Sequence, residues 1–231
     1  MDAEKLSHRL ATVAEFVPQG ARVADIGTDH AYLPAALMLA GKISFAVAGD
    51  VTRGPLENAK EEIARVNLTG KIQPRLADGL AAIEPADRID TVVIAGMGGA
   101  LIAKILDQGK ERLAGVTRLI LQPNIGAERV RQWLMNNHYE LVAERILAED
   151  GHVYEILVAT ATRLPVRYNQ RELRFGPLLL EEKNAAFREK WAGELTRLQA
   201  VLAQLSAAPQ PPAEKVAAFE EEIAEIKGVL Q

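Results

Sequence analysis

The stretch RVADIGTDHAYLPAALMLAG (residues 22–41) joins an apolar run to a second apolar run through a short polar turn. Arg22–Gly27 reads as a short buried strand ending on a glycine that permits a tight turn, and Leu33–Gly41 reads as a helix closed by Gly41. Outward from this pair the alternation repeats. ISFAVAGD (43–50) is a strand, GPLENAKEEIARVN (54–67) an amphipathic helix, and KIQPRLAD (71–78) a weaker strand interrupted by Pro74. DTVVIAG (90–96) and GALIAKILDQGKERLA (99–114) form a further strand and helix, as do RLILQP (118–123) and IGAERVRQWLMNN (125–137). YELVAERILAED (139–150) and HVYEILVATA (152–161) close the series as two strands joined by a turn at Asp150-Gly151. Five βα units and a terminal hairpin predict an α/β fold: a doubly wound, mostly parallel sheet of seven strands, one of them antiparallel near an edge. A lead-in helix over Glu4–Phe16 is expected from Leu6, Leu10 and Val13 at helical spacing, stopped by Pro18 and Gly20.

After Leu164 the pattern changes. Phe187, Trp191, Leu195, Leu198, Leu202 and Leu205 follow steps of four and three, AAPQPP (207–212) interrupts, and Val216, Phe219, Ile223, Ile226 and Leu230 resume the steps. That is the pattern of an antiparallel helical hairpin with a coiled-coil seam, because Pro209, Pro211 and Pro212 forbid one continuous helix. Two domains are expected, residues 1–162 and residues 163–231. Between them RLPVRYNQRELRF (163–175) sets Arg163, Arg167, Arg171 and Arg174 against only Glu172, a cationic patch in a chain of formal charge -4. Its arginines either contact phosphates or pair with the acidic helices around them.

Composition removes several chemistries. The chain has no cysteine, hence no disulfide, thiolate zinc site or cysteine nucleophile. Its histidines, His8, His30, His138 and His152, lack ligand spacing, so no metal is expected. No apolar run approaches the roughly eighteen residues of a membrane span, and Glu4 stands where a targeting peptide avoids acid, so a cytoplasmic protein without membrane partners is expected.

In an open α/β sheet, ligands bind beyond the carboxyl ends of the strands. The first such end carries Asp25-Ile-Gly27-Thr28-Asp29-His30, an acid-x-Gly opening without the later glycines of a dinucleotide loop. Asp29 would repel a diphosphate, which argues against a nicotinamide-dependent oxidoreductase on a similar sheet. A sulfonium nucleoside needs the opposite: carboxylates for its amino group and ribose. Asp50 ends the second strand, where it can accept from ribose hydroxyls or merely cap a turn; Asp78-Gly79 ends the third, where a carboxylate can meet an adenine amine. Ala95-Gly96-Met97-Gly98-Gly99 follows the fourth, at the catalytic-loop position. Each motif is weak alone; their coincidence at four successive strand ends points to a class I Rossmann-like methyltransferase using S-adenosyl-L-methionine.

The residues resemble the bacterial TrmK-type tRNA (adenine(22)-N1)-methyltransferase family over nearly the whole chain: LSHRL (6–10), VADIGTDHAYLP (23–34), AGDV (48–51), ADGL (77–80), AGMGG (95–99), LQPN (121–124), EDGHVYEI (149–156) and FGPLLLEEKNAAFREKW (175–191). The resemblance implies a cofactor pocket of Asp25, Gly27, Thr28, Asp29, His30, Asp50, Val51, Asp78, Gly79, Ala95, Gly96, Met97 and Gly98, with Arg9, His30, Tyr32 and Asn124 on the substrate side. It also implies a tRNA partner held in part by the helical tail; a monomer is expected. The ring nitrogen N1 of adenine keeps a lone pair near neutral pH, so direct in-line displacement needs no strong base. Asp29 is the candidate to stabilise the product cation, the alternative being that it only binds the methionine amino group or caps a turn. Tyr32 either stacks on the extruded base or packs. Arg9, Arg163, Arg167, Arg171 and Arg174 are expected on phosphates. Two rivals keep the sheet: methylation of another RNA or of a small molecule, the tail serving only oligomerisation, and a non-catalytic RNA-binding adaptor.

Overall fold

The computed structural model describes residues 3–207 and 212–231; Pro209 and Pro211, expected to break the tail helix, lie outside the described residues. The chain begins with α1 (His8–Glu15), whose N-cap Ser7 hydroxyl accepts from the Leu10 N–H at 3.2 Å. Then come β1 (Ala21–Ile26), α2 (Tyr32–Leu39), β2 (Ile43–Asp50), α3 (Arg53–Arg65), β3 (Ile72–Leu76), β4 (Thr91–Gly98), α4 (Gly99–Gln108), β5 (Arg118–Ile125), α5 (Ala127–Asn136), β6 (Tyr139–Glu149) and β7 (His152–Ala161). One of the five expected βα units is abbreviated: β3 is followed by two 3-10 turns, Gly79–Ala82 and Pro85–Asp87, instead of a crossover helix.

The sheet order is β3-β2-β1-β4-β5-β7-β6, with β1 to β5 parallel and β7 antiparallel to both neighbours. The chain winds outward from β1 to β3, then returns to lay β4 against β1, so strand order reverses between β1 and β4. The crevice beyond their carboxyl ends is where such sheets bind ligands. Side chains alternate between two cores, as in a sheet covered on both faces: Val92, Ile94, Leu119 and Leu121 pack with Ile102, Leu106 and Leu134, while Val93 and Ile120 pack with Val13, Leu37 and Ile63.

The tail contains α6 (Gln170–Phe175), α7 (Pro177–Glu182), α8 (Ala185–Ser206) and α9 (Ala213–Leu230). The first two were not anticipated, because neither is long enough to show a helical period. Trp191, Leu198, Ile223, Ile226 and Val229 form the seam of the hairpin, with Phe175, Leu179 and Phe187 beneath it and Ile146 of β6 closing the cluster. The Arg188 guanidinium donates to the Leu230 carbonyl at 3.3 Å, placing the start of α8 beside the end of α9.

A buried ionic joint ties tail to sheet. Arg131 of α5, fully buried, donates through Nε to Glu144 at 2.7 Å and through Nη2 to Glu155, and its Nη1 reaches the Leu173 carbonyl at 3.1 Å. Glu155 also binds Lys190 of α8, and the second oxygen of Glu144 accepts from the Leu178 N–H at 3.0 Å. Gly176 turns between α6 and α7 with φ +87°; a Cβ there would lie 2.7 Å from Arg131 Nη2. The glycine of FGPLLL is thus required twice, for its backbone and for the joint beside it. No helix among the described residues is long and apolar enough to cross a membrane.

Candidate active site

Asp25, at the end of β1, is buried, and its Oδ2 accepts from the Thr28 hydroxyl at 2.6 Å. Burial pushes its carboxyl up to about 6, the Thr28 bond opposes the rise, and the negative charge of Asp50 adds to it. Gly27 has φ +76° and donates to the Gly49 carbonyl at 2.8 Å; a Cβ on it would overlap the methyl of Met97. The first loop therefore touches the glycine loop through Met97, and its positive φ favours glycine there.

Asp29 projects into solvent, its side chain 76% exposed, with His30 Nε2 at 3.3 Å. His30 and Ala31 both sit in the left-handed region, φ 60° and 52°, so the chain turns sharply into α2, whose N-cap carries no side-chain bond. That turn lays the His30 ring parallel to Tyr32, centroids 4.9 Å apart and planes within 4°. Asp50 ends β2 with one oxygen accepting the Thr52 N–H at 2.6 Å, and the apolar side chain of Val51 beside it is 67% exposed. β3 is held to that tip by the Ala77 N–H on the Asp50 carbonyl at 2.9 Å, which brings Asp78 alongside; Asp78 opens the Gly79–Ala82 turn without a side-chain cap bond.

At the end of β4 the pairing with β5 slips between Ala95 and Gly98, and Gly96 stands at φ +81° in the irregularity. Gln122 of β5, fully buried, accepts on Oε1 from the Gly96 N–H at 3.0 Å and from Arg9 Nη1 at 2.5 Å. Its amide nitrogen donates to Asn124 Oδ1 at 3.2 Å, and Asn124 Nδ2 donates to the Gly96 carbonyl at 2.9 Å. Arg9 also lies over the Tyr154 ring at 5.3 Å, and Glu149 holds the start of α1 by accepting the His8 and Arg9 N–H groups at 2.5 and 3.0 Å.

The first loop, the tips of β2 and β3, the glycine loop, Arg9, Tyr32 and Asn124 are thus brought to one end of the sheet. The arginine patch is not. Thr160 pairs with Arg118 at the start of β5, so Arg163 leaves β7 at the opposite end, and Arg167 lines a depression there with Glu140. Arg163, Arg167 and Arg171 are exposed, whereas Arg174 is bound to Glu222 and Glu225 of α9, the pairing alternative for a charged linker. Sequence reading missed Gln122 and Glu149. A glutamine inside the apolar run of RLILQP was the available signal for the first; Glu149 opens the EDGHVYEI stretch, but nothing local points to its partners, 140 and 141 residues away.

Comparison with known proteins places this geometry. The family model described as TrmK, tRNA (adenine(22)-N(1))-methyltransferase, matches residues 23–228. The tRNA (adenine(22)-N(1))-methyltransferase of Bacillus subtilis is 48% identical over 212 residues, 90% of this chain and 89% of that protein. The crystal structure of the B. subtilis m1A22 tRNA methyltransferase TrmK superposes with a TM-score of 0.91 at 44% identity, over 99% of this chain and 100% of that one. Streptococcus pneumoniae Sp1610 in complex with S-adenosyl-L-methionine does so with a TM-score of 0.90 at 43% identity, over 98% and 100%. The chain belongs to the TrmK family of tRNA (adenine(22)-N(1))-methyltransferases.

Proposed function

We propose that the protein transfers the methyl group of S-adenosyl-L-methionine to N1 of adenine 22 in tRNA, in the cytoplasm, as a single copy that carries every residue of its own site. The observation that carries this reading is the convergence of Asp25, Asp50 and Asp78 on one side of the β1/β4 crevice with the Gly96–Gly98 loop on the other. The residues suit the donor. Residues 25–31 contain no lysine or arginine to hold a phosphate, Gly27 lets the Met97 side chain pack against the first loop, and exposed Val51 offers an apolar face to a flat ring. Asp50 would hold the ribose diol, Asp78 the adenine amine, and the Asp25–Thr28–Asp29 loop the methionine moiety.

The bound donor supplies an electrophilic methyl on a positively charged sulfur. The protein's share is to extrude the adenine, to align it and to accommodate the charge that moves onto it. The His30–Tyr32 stack stands at the mouth as a platform for the extruded base. No base need remove a proton from N1, and Asp29, exposed beside the stack, either stabilises the methylated ring or holds the donor's ammonium. Asp29→Asn separates these: lost donor affinity with normal turnover of the bound complex rules out the catalytic role. Arg9 at the mouth would take a phosphate. Residues 163–231 would hold the tRNA body as a second domain, with Arg163, Arg167 and Arg171 meeting phosphates far from the crevice. The decisive experiment is incubation with unmodified tRNA and labelled donor, followed by mapping of the methylated nucleotide. Transfer to any other base, or none, defeats the proposal.

A further inference from the structure

Behind the crevice one fully buried polar side chain holds three groups of the site: Arg9, the Gly96 peptide and Asn124. Gln122 is fully buried, and its oxygen faces two groups that can only donate, Arg9 Nη1 and the Gly96 N–H. Its nitrogen must therefore face Asn124, which is obliged to offer its oxygen and so to turn its own nitrogen toward the Gly96 carbonyl, which can only accept. Donors and acceptors agree at every step, and reversing either amide would oppose like groups.

We infer that Gln122 is a positioning residue that sets the direction of the Asn124 amide and, with Arg9, locks the Gly96 peptide of the catalytic loop. This rests on the methyltransferase reading above. Asn124 is exposed, and after its internal bonds one N–H and one oxygen lone pair remain for a base. Adenine presents an amino donor and ring-nitrogen acceptors where guanine presents a carbonyl, so the order in which Asn124 offers its two groups decides which purine is met correctly. A flipped amide would offer the wrong order. Fixing it from behind, by a residue out of reach of solvent, allows Asn124 to stay exposed without losing that order.

Gln122→Glu is the discriminating variant. The carboxylate still accepts from Arg9 and Gly96, and it fills the same space, but it cannot donate to Asn124. We expect unchanged thermal stability, unchanged calorimetric affinity for S-adenosylhomocysteine, and a kcat on tRNA reduced by roughly tenfold to a hundredfold, the scale of a small misplacement at a reacting centre. In an Asn124→Ala background the same substitution should cost almost nothing, because its route of action is gone. If the glutamate variant fails to fold, Asn124→Asp carries the test from the other side: its carboxylate still accepts from Gln122 but cannot donate to the Gly96 carbonyl, so kcat on tRNA should fall by a comparable factor at unchanged S-adenosylhomocysteine affinity, and full activity overturns the inference. A Gln122→Glu enzyme as fast as the parent, or equal losses with and without Asn124, overturns the inference. Absence of transfer by the parent enzyme would instead defeat the methyltransferase reading itself.

Discussion

Carboxylates at the crevice and carboxylates at the joint between sheet and tail are handled in opposite ways. Asp25 is buried with a hydroxyl for its partner, while Asp29 projects into solvent. Glu144 and Glu155 are buried as deeply as Asp25 but meet Arg131, Lys190 and backbone N–H groups. A buried charge without a cation is costly, and a fold retains it where something else supplies the charge. The joint's carboxylates are consumed by the structure, whereas under the proposed function those of the crevice would meet a cationic ligand. Cations follow the same division: Arg131 is enclosed, while Arg9 keeps donors at the mouth.

Five variants test that contrast. The largest effect is expected from Arg131→Met, which strands two buried carboxylates and should cost about 3–5 kcal/mol of unfolding free energy in urea. A loss below about 1 kcal/mol would mean the joint is not the anchor described. Acid should then act oppositely on Asp25 and Glu155, while burial raises Glu144 of the joint as it raises Asp25. Asp25, raised to about 6, is disfavoured in its charged form by folding, so its penalty of roughly 3 kcal/mol is present above that pH and disappears as pH falls toward the unfolded value of 3.8. Burial pushes the Glu155 carboxyl up, but Arg131 and Lys190 outweigh it and hold it below 4.5, so its contribution is present above 4.5 and is lost as pH falls through the lowered value. Asp25→Asn should therefore stabilise the ligand-free protein at pH 8 and have little effect at pH 4; a variant less stable at pH 8 contradicts the assignment.

Asp50→Ala should leave the urea midpoint in place while weakening S-adenosylhomocysteine binding roughly ten- to a hundredfold, as expected for lost hydrogen bonds to a charged group. Equal losses of stability and affinity would erase the distinction between the regions. The smallest effect belongs to the surface arginines. Arg174→Ala removes part-exposed pairs with Glu222 and Glu225 and should cost at most about 1 kcal/mol, without altering the salt dependence of tRNA binding. Substituting Arg163, Arg167 and Arg171 together should lower the slope of affinity against salt by up to about 3. An unchanged slope would remove them from the tRNA surface.

The alternation from Arg22 to Ala161 and the seam through Trp191, Leu198, Ile223 and Ile226 were legible because each is a repeat within a few residues, set by backbone geometry. Equally legible were the four strand ends, since an acid or glycine after an apolar run is a local signal. The short helices α6 and α7 were not: each spans six residues, and Gly176 between them answers to Arg131 and Glu144. The arginine patch looked like one surface because its members are close in sequence, yet the antiparallel course of β7 carries Arg163 to one end of the sheet while Arg174 turns to α9. Arg9, expected on the substrate side, is joined through Gln122, 113 residues away, to the glycine loop, a link that no local signal announced.

Local periodicity alone determined the layers, the winding of the sheet and the end at which ligands belong, because hydrophobic repeats act over one or two turns of chain. Only the tertiary structure decided which polar groups are spent on one another and which remain open to a ligand. Hydrogen bonds and ion pairs select partners by distance and direction in space, and no spacing along the chain encodes them.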